Sequence, residues 1–192
     1  MKSCKTLFGS GRQITDGSAS LVKLRCDILP LPSLALYAVA AVGPGREADF
    51  CAFIGLNPST ADERNNDPTV TRCINFAKAW GFPGMWMLNL FGLRSTDPRL
   101  LSQTMNPYGD DNWQTVLQVV TQTCSKIVLC WGNHGQFDRA GDRFLSQLLL
   151  AASGCSKPLF CFGRTKVGEP KHPLYLPGNA PLMKWDETWH AS

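Results

Sequence analysis

The sequence predicts a three-layer α/β/α sandwich with a central, mainly parallel sheet of at least four strands. Three observations carry this. From residue 50 to residue 162, short apolar runs alternate with amphipathic segments of helical period. Helix start and stop residues fall between the runs: Asp67-Pro68 opens the first helical segment, and Gly81 and Gly154 close the first and third. Parallel strands joined by right-handed crossovers place their helices on both faces of the sheet.

Residues 1–20 are rich in Gly, Ser and Thr without a period, which predicts a loose terminus before a single domain at 21–192. Residues 21–29 and 34–42 are apolar runs separated by Pro30-Leu31-Pro32-Ser33, read as two strands and a hairpin, with Gly43-Pro44-Gly45 ending the second. The repeating part starts with a buried strand at 50–56. Val70, Cys73, Ile74, Ala77 and Trp80 then follow at helical spacing. Residues 85–91 are the second strand of this part. A helix at 110–124 carries Trp113, Val116, Leu117, Val120 and Cys124 on one face, and 126–131 is the third strand. A helix at 137–153 with Phe137, Phe144, Leu145, Leu148 and Leu149 leads to a fourth strand at 158–162.

Composition narrows the class. The chain has 192 residues, 44% hydrophobic and 18% charged, the balance of an ordinary globular domain. No run reaches the roughly 18 apolar residues of a membrane span. Met1-Lys2-Ser3-Cys4-Lys5 is basic, but no apolar stretch follows, so the expectation is a cytoplasmic protein with no membrane partner. The eight cysteines include no C-x-x-C pair, and Cys51, Cys130 and Cys161 lie inside apolar runs, which predicts reduced thiols and no metal or cofactor. The net charge of +4 is compatible with a polyanionic partner.

In a parallel sheet, ligands bind outside the carboxyl ends of the strands. The predicted strand exits are Gly55-Leu56-Asn57-Pro58-Ser59, Asn89-Leu90-Phe91-Gly92, Trp131-Gly132-Asn133-His134, and the stretch from Gly163 to His172-Pro173-Leu174-Tyr175-Leu176. Asn57-Pro58 suits an Asx turn as well as a ligand contact. Asn89 interrupts the apolar run Met-Trp-Met-Leu-Asn-Leu-Phe, where a buried amide needs partners, either backbone or the edge of a flat polar ligand. His172 sits among Gly168, Pro170, Pro173, Pro177 and Gly178, either as a solvated loop histidine or as a donor stiffened by the following proline.

Taken together, G-x-N-P after the first core strand, an asparagine on the next and H-P-x-x-L in a late loop resemble the uracil-DNA glycosylase superfamily. Leu56-Asn57-Pro58-Ser59-Thr60-Ala61-Asp62, Asp67-Pro68-Thr69, Asn89-Leu90-Phe91 and Arg94-Ser95-Thr96-Asp97-Pro98 resemble a bacterial and phage family called domain of unknown function 1643, over roughly residues 50–180. The late motif reads His172-Pro173-Leu174-Tyr175-Leu176, where the glycosylases commonly have H-P-S-P-L.

The glycosylase resemblance implies hydrolysis of the N-glycosidic bond of a nucleotide flipped out of double-stranded DNA by a monomeric enzyme without a cofactor. Asn57, held by Pro58, would accept a hydrogen bond from the attacking water. Asp62 or Glu63 could supply a carboxylate, unless the pair is simply a solvated turn. His172 would donate to the base carbonyl as charge develops there. Gly55, Leu56, Pro58, Ser59 and Asn89 would line the base pocket, with Asn89 reading the base edge. Phe91 would stack on the base or belong to the core. Thr60, Arg164, Lys166 and Lys171 would contact phosphates, and Leu174, Tyr175 or Leu176 would fill the gap in the duplex. Ser59 stands where uracil-specific enzymes carry a tyrosine that blocks the pyrimidine 5-position. A 5-modified pyrimidine is therefore the expected substrate, in phage DNA and as part of defence or phage DNA processing. A hydrolase of free nucleosides or nucleotides and a catalytically silent DNA-binding module are the competing readings.

Overall fold

A computed structural model describes residues 23–24, 35–38, 49–59, 67–152 and 157–185. The strands are β1 (Lys23–Leu24), β2 (Ala35–Ala38), β3 (Phe50–Gly55), β4 (Gly84–Asn89), β5 (Cys124–Leu129), β6 (Leu159–Cys161) and β7 (Met183–Lys184). They form one sheet in the order β1-β2-β4-β3-β5-β6-β7. The inner strands β4, β3, β5 and β6 run parallel. The outer pairings, β1 with β2, β2 with β4 and β6 with β7, are antiparallel. All four strands of the repeating part are thus present, and the described parts of the two early runs pair as hairpin strands. The predicted loose terminus at 1–20 lies outside the described residues.

The α-helices are α1 (Pro68–Ala79), α2 (Asn112–Thr123) and α3 (Ala140–Ala152). At the start of α1, Asp67 Oδ1 accepts from the Thr69 backbone N–H at 2.6 Å, and Pro68 takes the first helical position. After the cap at Trp80 the helix is stopped by Gly81, whose φ of +78° suits a residue without Cβ. Side chains alternate across a strand, and two separate apolar clusters follow from this. On one face Cys51, Phe53, Met85, Met87, Val128 and Cys130 pack against Val70, Cys73, Ile74 and Ala77 of α1. On the other, Ala52, Ile54, Leu88, Ile127 and Leu129 pack against Val116 and Val120 of α2 and Phe144 and Leu148 of α3. A strand buried on both faces must be apolar at every position, which is why β3 and β4 read as continuous apolar runs.

The third helix begins later than its apolar period suggests. Residues Asn133–Arg139 form a 3₁₀ segment, and α3 starts only at Ala140. Asp138 and Arg139 have φ of +49° and +52°, which no α-helix continues. The Asp138 carboxylate is fixed there by the Tyr108 hydroxyl at 2.6 Å and by the Arg143 guanidinium. Two further 3₁₀ segments, Pro98–Gln103 and Pro173–Tyr175, were not predicted; each opens on a proline and a side-chain cap. β7 was also missed, because two exposed residues carry no readable period. Among the described residues, no helix is long and apolar enough to cross a membrane, and Cys51, Cys73, Cys124, Cys130 and Cys161 are buried free thiols.

Candidate active site

The parallel strands deliver their exits to one edge of the sheet. Gly55 pairs with Asn89 across β3 and β4, and the ladder runs on through Leu90 N–H to Gly55 O, Phe91 N–H to Leu56 O and Cys130 N–H to Ile54 O. Asn89 follows Met85 and Met87 in the two-residue alternation, so its side chain lies on the α1 face, where it is 4% exposed. Gly55 makes room for it: a Cβ there would lie 2.8 Å from Asn89 Oδ1 and 2.6 Å from Met87 Cε. The backbone of this exit is clamped from the opposite side. Asn112 Nδ2 donates to the carbonyls of Asn89 and Leu90 at 3.2 and 3.1 Å, and Trp113 Nε1 donates to Leu90 O at 2.6 Å. Asn112 was not anticipated. Its signal was its place four residues before Val116 on the buried stripe of α2.

The next exit holds Asn57. Its Nδ2 donates to the carbonyls of Ser95 at 2.6 Å, Pro58 at 3.2 Å and Leu93 at 3.3 Å. With the nitrogen so engaged, the amide oxygen is the group left to act on a ligand, and it can only accept. Residues 57–59 are further stitched to 93–95 by Ser95 N–H to Pro58 O and Arg94 Nε to Ser59 O, both at 2.9 Å. The Arg94-Ser95 pair of the sequence motif therefore builds the turn that orients Asn57.

His172 reaches the same edge from the far end of the chain. The segment after β6 folds back as a hairpin, with Arg164 bridged to Pro170 and Lys171 N–H donating to Gly163 O. Gly132, just after β5, donates its N–H to Pro170 O at 3.0 Å. Its φ is +73°, and a Cβ added to it would stand 3.4 Å from His172 Cβ. The following residues, Leu176 and Ala180, pack into the α1-side cluster. Two features fix the state of the imidazole. Nδ1 accepts from the Leu174 N–H at 3.4 Å, so the ring proton of the neutral form belongs on Nε2. Burial pushes the His172 pKa below the ordinary histidine value, and the Asp67 carboxylate pulls it only partly back. His172 is thus a neutral Nε2–H donor at neutral pH. Tyr175 is 84% exposed, with its ring 5.8 Å from the imidazole.

The structure brings Gly55, Asn57, Pro58, Ser59, Asn89 and His172 to this edge and separates others from it. Leu56 and Phe91 face the α2–α3 core, where the fully buried Phe91 ring packs 4.9 Å from Tyr108 and 5.8 Å from Phe137. Of the two readings of Phe91, the core one holds: its ring lies on the face opposite Asn89, which rules out stacking, and the lining role of Leu56 is corrected for the same reason. Arg164 is built into the hairpin, with NH1 donating to Gly168 O at 3.1 Å and the guanidinium 3.5 Å from the Trp185 ring centre. Lys166 and Lys171 are exposed, and Leu174 is half-buried. Thr60, Asp62 and Glu63 lie outside the described residues.

A further residue escaped the sequence reading. Glu169 accepts from Trp131 Nε1, which ties the hairpin to the β5 exit. Gly135 and Gly141 lie against the Trp131 indole, and a Cβ on Gly135 would overlap it. Burial raises the Glu169 pKa, the Trp131 hydrogen bond offsetting only part of the effect. Nothing local marks this pairing, since the two residues are joined only by the fold.

Neither curated proteins nor solved structures give a match to this chain. A family model described as protein of unknown function DUF1643 matches residues 42–174, and the chain belongs to that family.

Proposed function

We propose that the protein is a monofunctional DNA glycosylase that hydrolyses the N-glycosidic bond of a flipped, 5-modified pyrimidine. In this reading the fold is a three-layer, glycosylase-like sandwich, and the protein works as a cytoplasmic monomer on phage DNA. The observation that carries the reading is the pairing of opposite hydrogen-bonding roles at one sheet edge. Asn57 offers an acceptor, because its nitrogen is held by backbone carbonyls. His172 offers a neutral donor, because its Nδ1 is held by a backbone N–H. Glycosidic hydrolysis needs both: an acceptor to aim a water at the anomeric carbon and a donor to meet the charge that grows on the leaving base.

Asn89 then reads the base edge, seated over Gly55. Ser59 leaves space at the pyrimidine 5-position, and the exposed Tyr175 fills the vacated stack. Lys166 and Lys171 meet phosphates. Duplexes bearing uracil, thymine, or hydroxymethylated or glycosylated cytosine, each incubated with the protein and then cleaved with alkali, test the proposal. Strand breaks at a 5-modified pyrimidine are expected; intact strands throughout would reject it. One observation favours hydrolysis of free nucleosides instead. Arg164 is engaged by Trp185 and Gly168, which leaves fewer cations for a duplex. Release of base from nucleosides but not from duplexes would decide for that reading.

A further inference from the structure

In the mechanism above the attacking water must lose a proton, and Asn57 cannot take it, because a neutral amide is not a base at any accessible pH. A nearby carboxylate can. Asp67 occupies such a place. It is the N-cap of α1, and its Oδ1 is fixed by the Thr69 N–H at 2.6 Å. In a parallel β3-α1-β4 unit the helix starts at the end where β3 leaves the sheet, and α1 packs on the face that carries Asn89. The segment that follows His172 packs against α1, and Gly178 lies near the Arg72 guanidinium one turn along that helix.

We propose that Asp67 is the proton acceptor of this site. The C1′–N bond breaks and its electron pair leaves with the base. The water oxygen forms the new C1′–O bond, and the proton that it sheds passes to the Asp67 carboxylate and then to solvent or to the departing base. This inference rests on the glycosylase reading for its chemistry, although not for its geometry. The electrostatic field supports the geometry: among the described residues, Asp67 is the carboxylate whose charge acts on His172. The Tyr175 ring lies 5.8 Å from the imidazole, and the Arg72 guanidinium lies beside Gly178.

Asp67→Asn is the suitable variant, because asparagine caps a helix as well as aspartate and removes only the charge. Two measurements separate placement from chemistry. The first is an NMR titration of His172 in the wild-type protein and in Asp67→Asn. The variant should titrate at lower pH, having lost the charge that favours imidazolium; superimposable curves would overturn the placement, whether or not the protein is active. The second is base release from the duplex that the wild type attacks best. Asp67→Asn should lose about 10²–10⁴-fold in rate, the usual range for a general base, with duplex affinity retained. Undiminished release would overturn the role. A wild type inactive on every duplex and nucleoside would reject the glycosylase reading, and the titration would still judge where Asp67 stands.

Discussion

The residue that most constrains the chemistry is His172, because the fold assigns both of its nitrogens. Nδ1 is spent on the Leu174 N–H, and burial keeps the ring neutral. The neutral ring accepts at Nδ1 and donates from Nε2–H. Replacing it removes the donor but leaves the Asn57 turn, which is held by Leu93 and Ser95. His172→Ala should therefore slow base release by about 10²–10³-fold while duplex affinity changes little; single-turnover kinetics and a binding isotherm on the same duplex would check both. An equal loss in the two would mean that His172 only binds. Ser59 makes a separate claim, about size. Its carbonyl is fixed by Arg94, so a larger side chain at 59 cannot easily be carried away by the backbone. Ser59→Tyr should abolish release of 5-modified pyrimidines and spare uracil release, as seen by product chromatography from paired substrates.

At the scale of elements, the site depends on strand ends that have run out of ladder partners. β4 stops at Asn89, and the carbonyls of Asn89 and Leu90 are capped by the buried Asn112 and by Trp113 from the start of α2. Asn112 is 2% exposed, so its loss would strand buried carbonyls that water cannot readily reach. Asn112→Ala should destabilise the fold by about 1–3 kcal/mol, the usual cost of orphaned buried acceptors, measured by urea unfolding. It should also loosen the residues around Asn89, visible as faster amide exchange at Leu90 and Phe91. A change below a few tenths of a kcal/mol would show that the clamp is redundant. The hairpin at 164–170 plays the matching part for His172. It is tied to β5 twice, through Gly132 N–H to Pro170 O and Trp131 to Glu169. Gly132 must also lack a side chain, because its φ is +73° and His172 stands beside it.

Over the whole molecule, what the sequence made legible is what repeats locally. The four inner strands show because strands covered on both faces are apolar throughout. The start of α1 shows because Asp67-Pro68 is a local signal. Asn89 stood out because an amide in such a run is costly to bury. Contacts between distant segments left no trace: Glu169 reaches Trp131 across 38 positions, and Asn112 reaches back 23 to Asn89. The alternation that puts Asn89 on the α1 face puts Leu90 on the other. The chain then leaves the sheet at Phe91, and its ring joins the same cluster as Leu90.

Glu169 and His172, on the same hairpin segment, also make the stability of the molecule respond to pH in opposite directions. Burial raises the Glu169 pKa, so between the ordinary carboxylate value and the higher folded one the native state holds more proton than the unfolded chain. Stability then falls as pH rises through that window. Burial lowers the His172 pKa, so between the ordinary histidine value and the lower folded one the unfolded chain holds more proton. Stability there falls as pH drops. Glu169→Gln keeps an acceptor for Trp131 Nε1 and removes the buried charge. It should melt above the wild type at neutral pH, with the two curves converging below the carboxylate range. His172→Asn replaces the Nδ1 acceptor with an amide oxygen and should remove the loss on the acid side. Melting temperatures of the wild type and both variants across pH 3–8 would check this. A Glu169→Gln protein that melts lower than the wild type at neutral pH would show that the carboxylate–indole bond outweighs the cost of burial. The hairpin that carries His172 would then be held by Glu169 in its charged form.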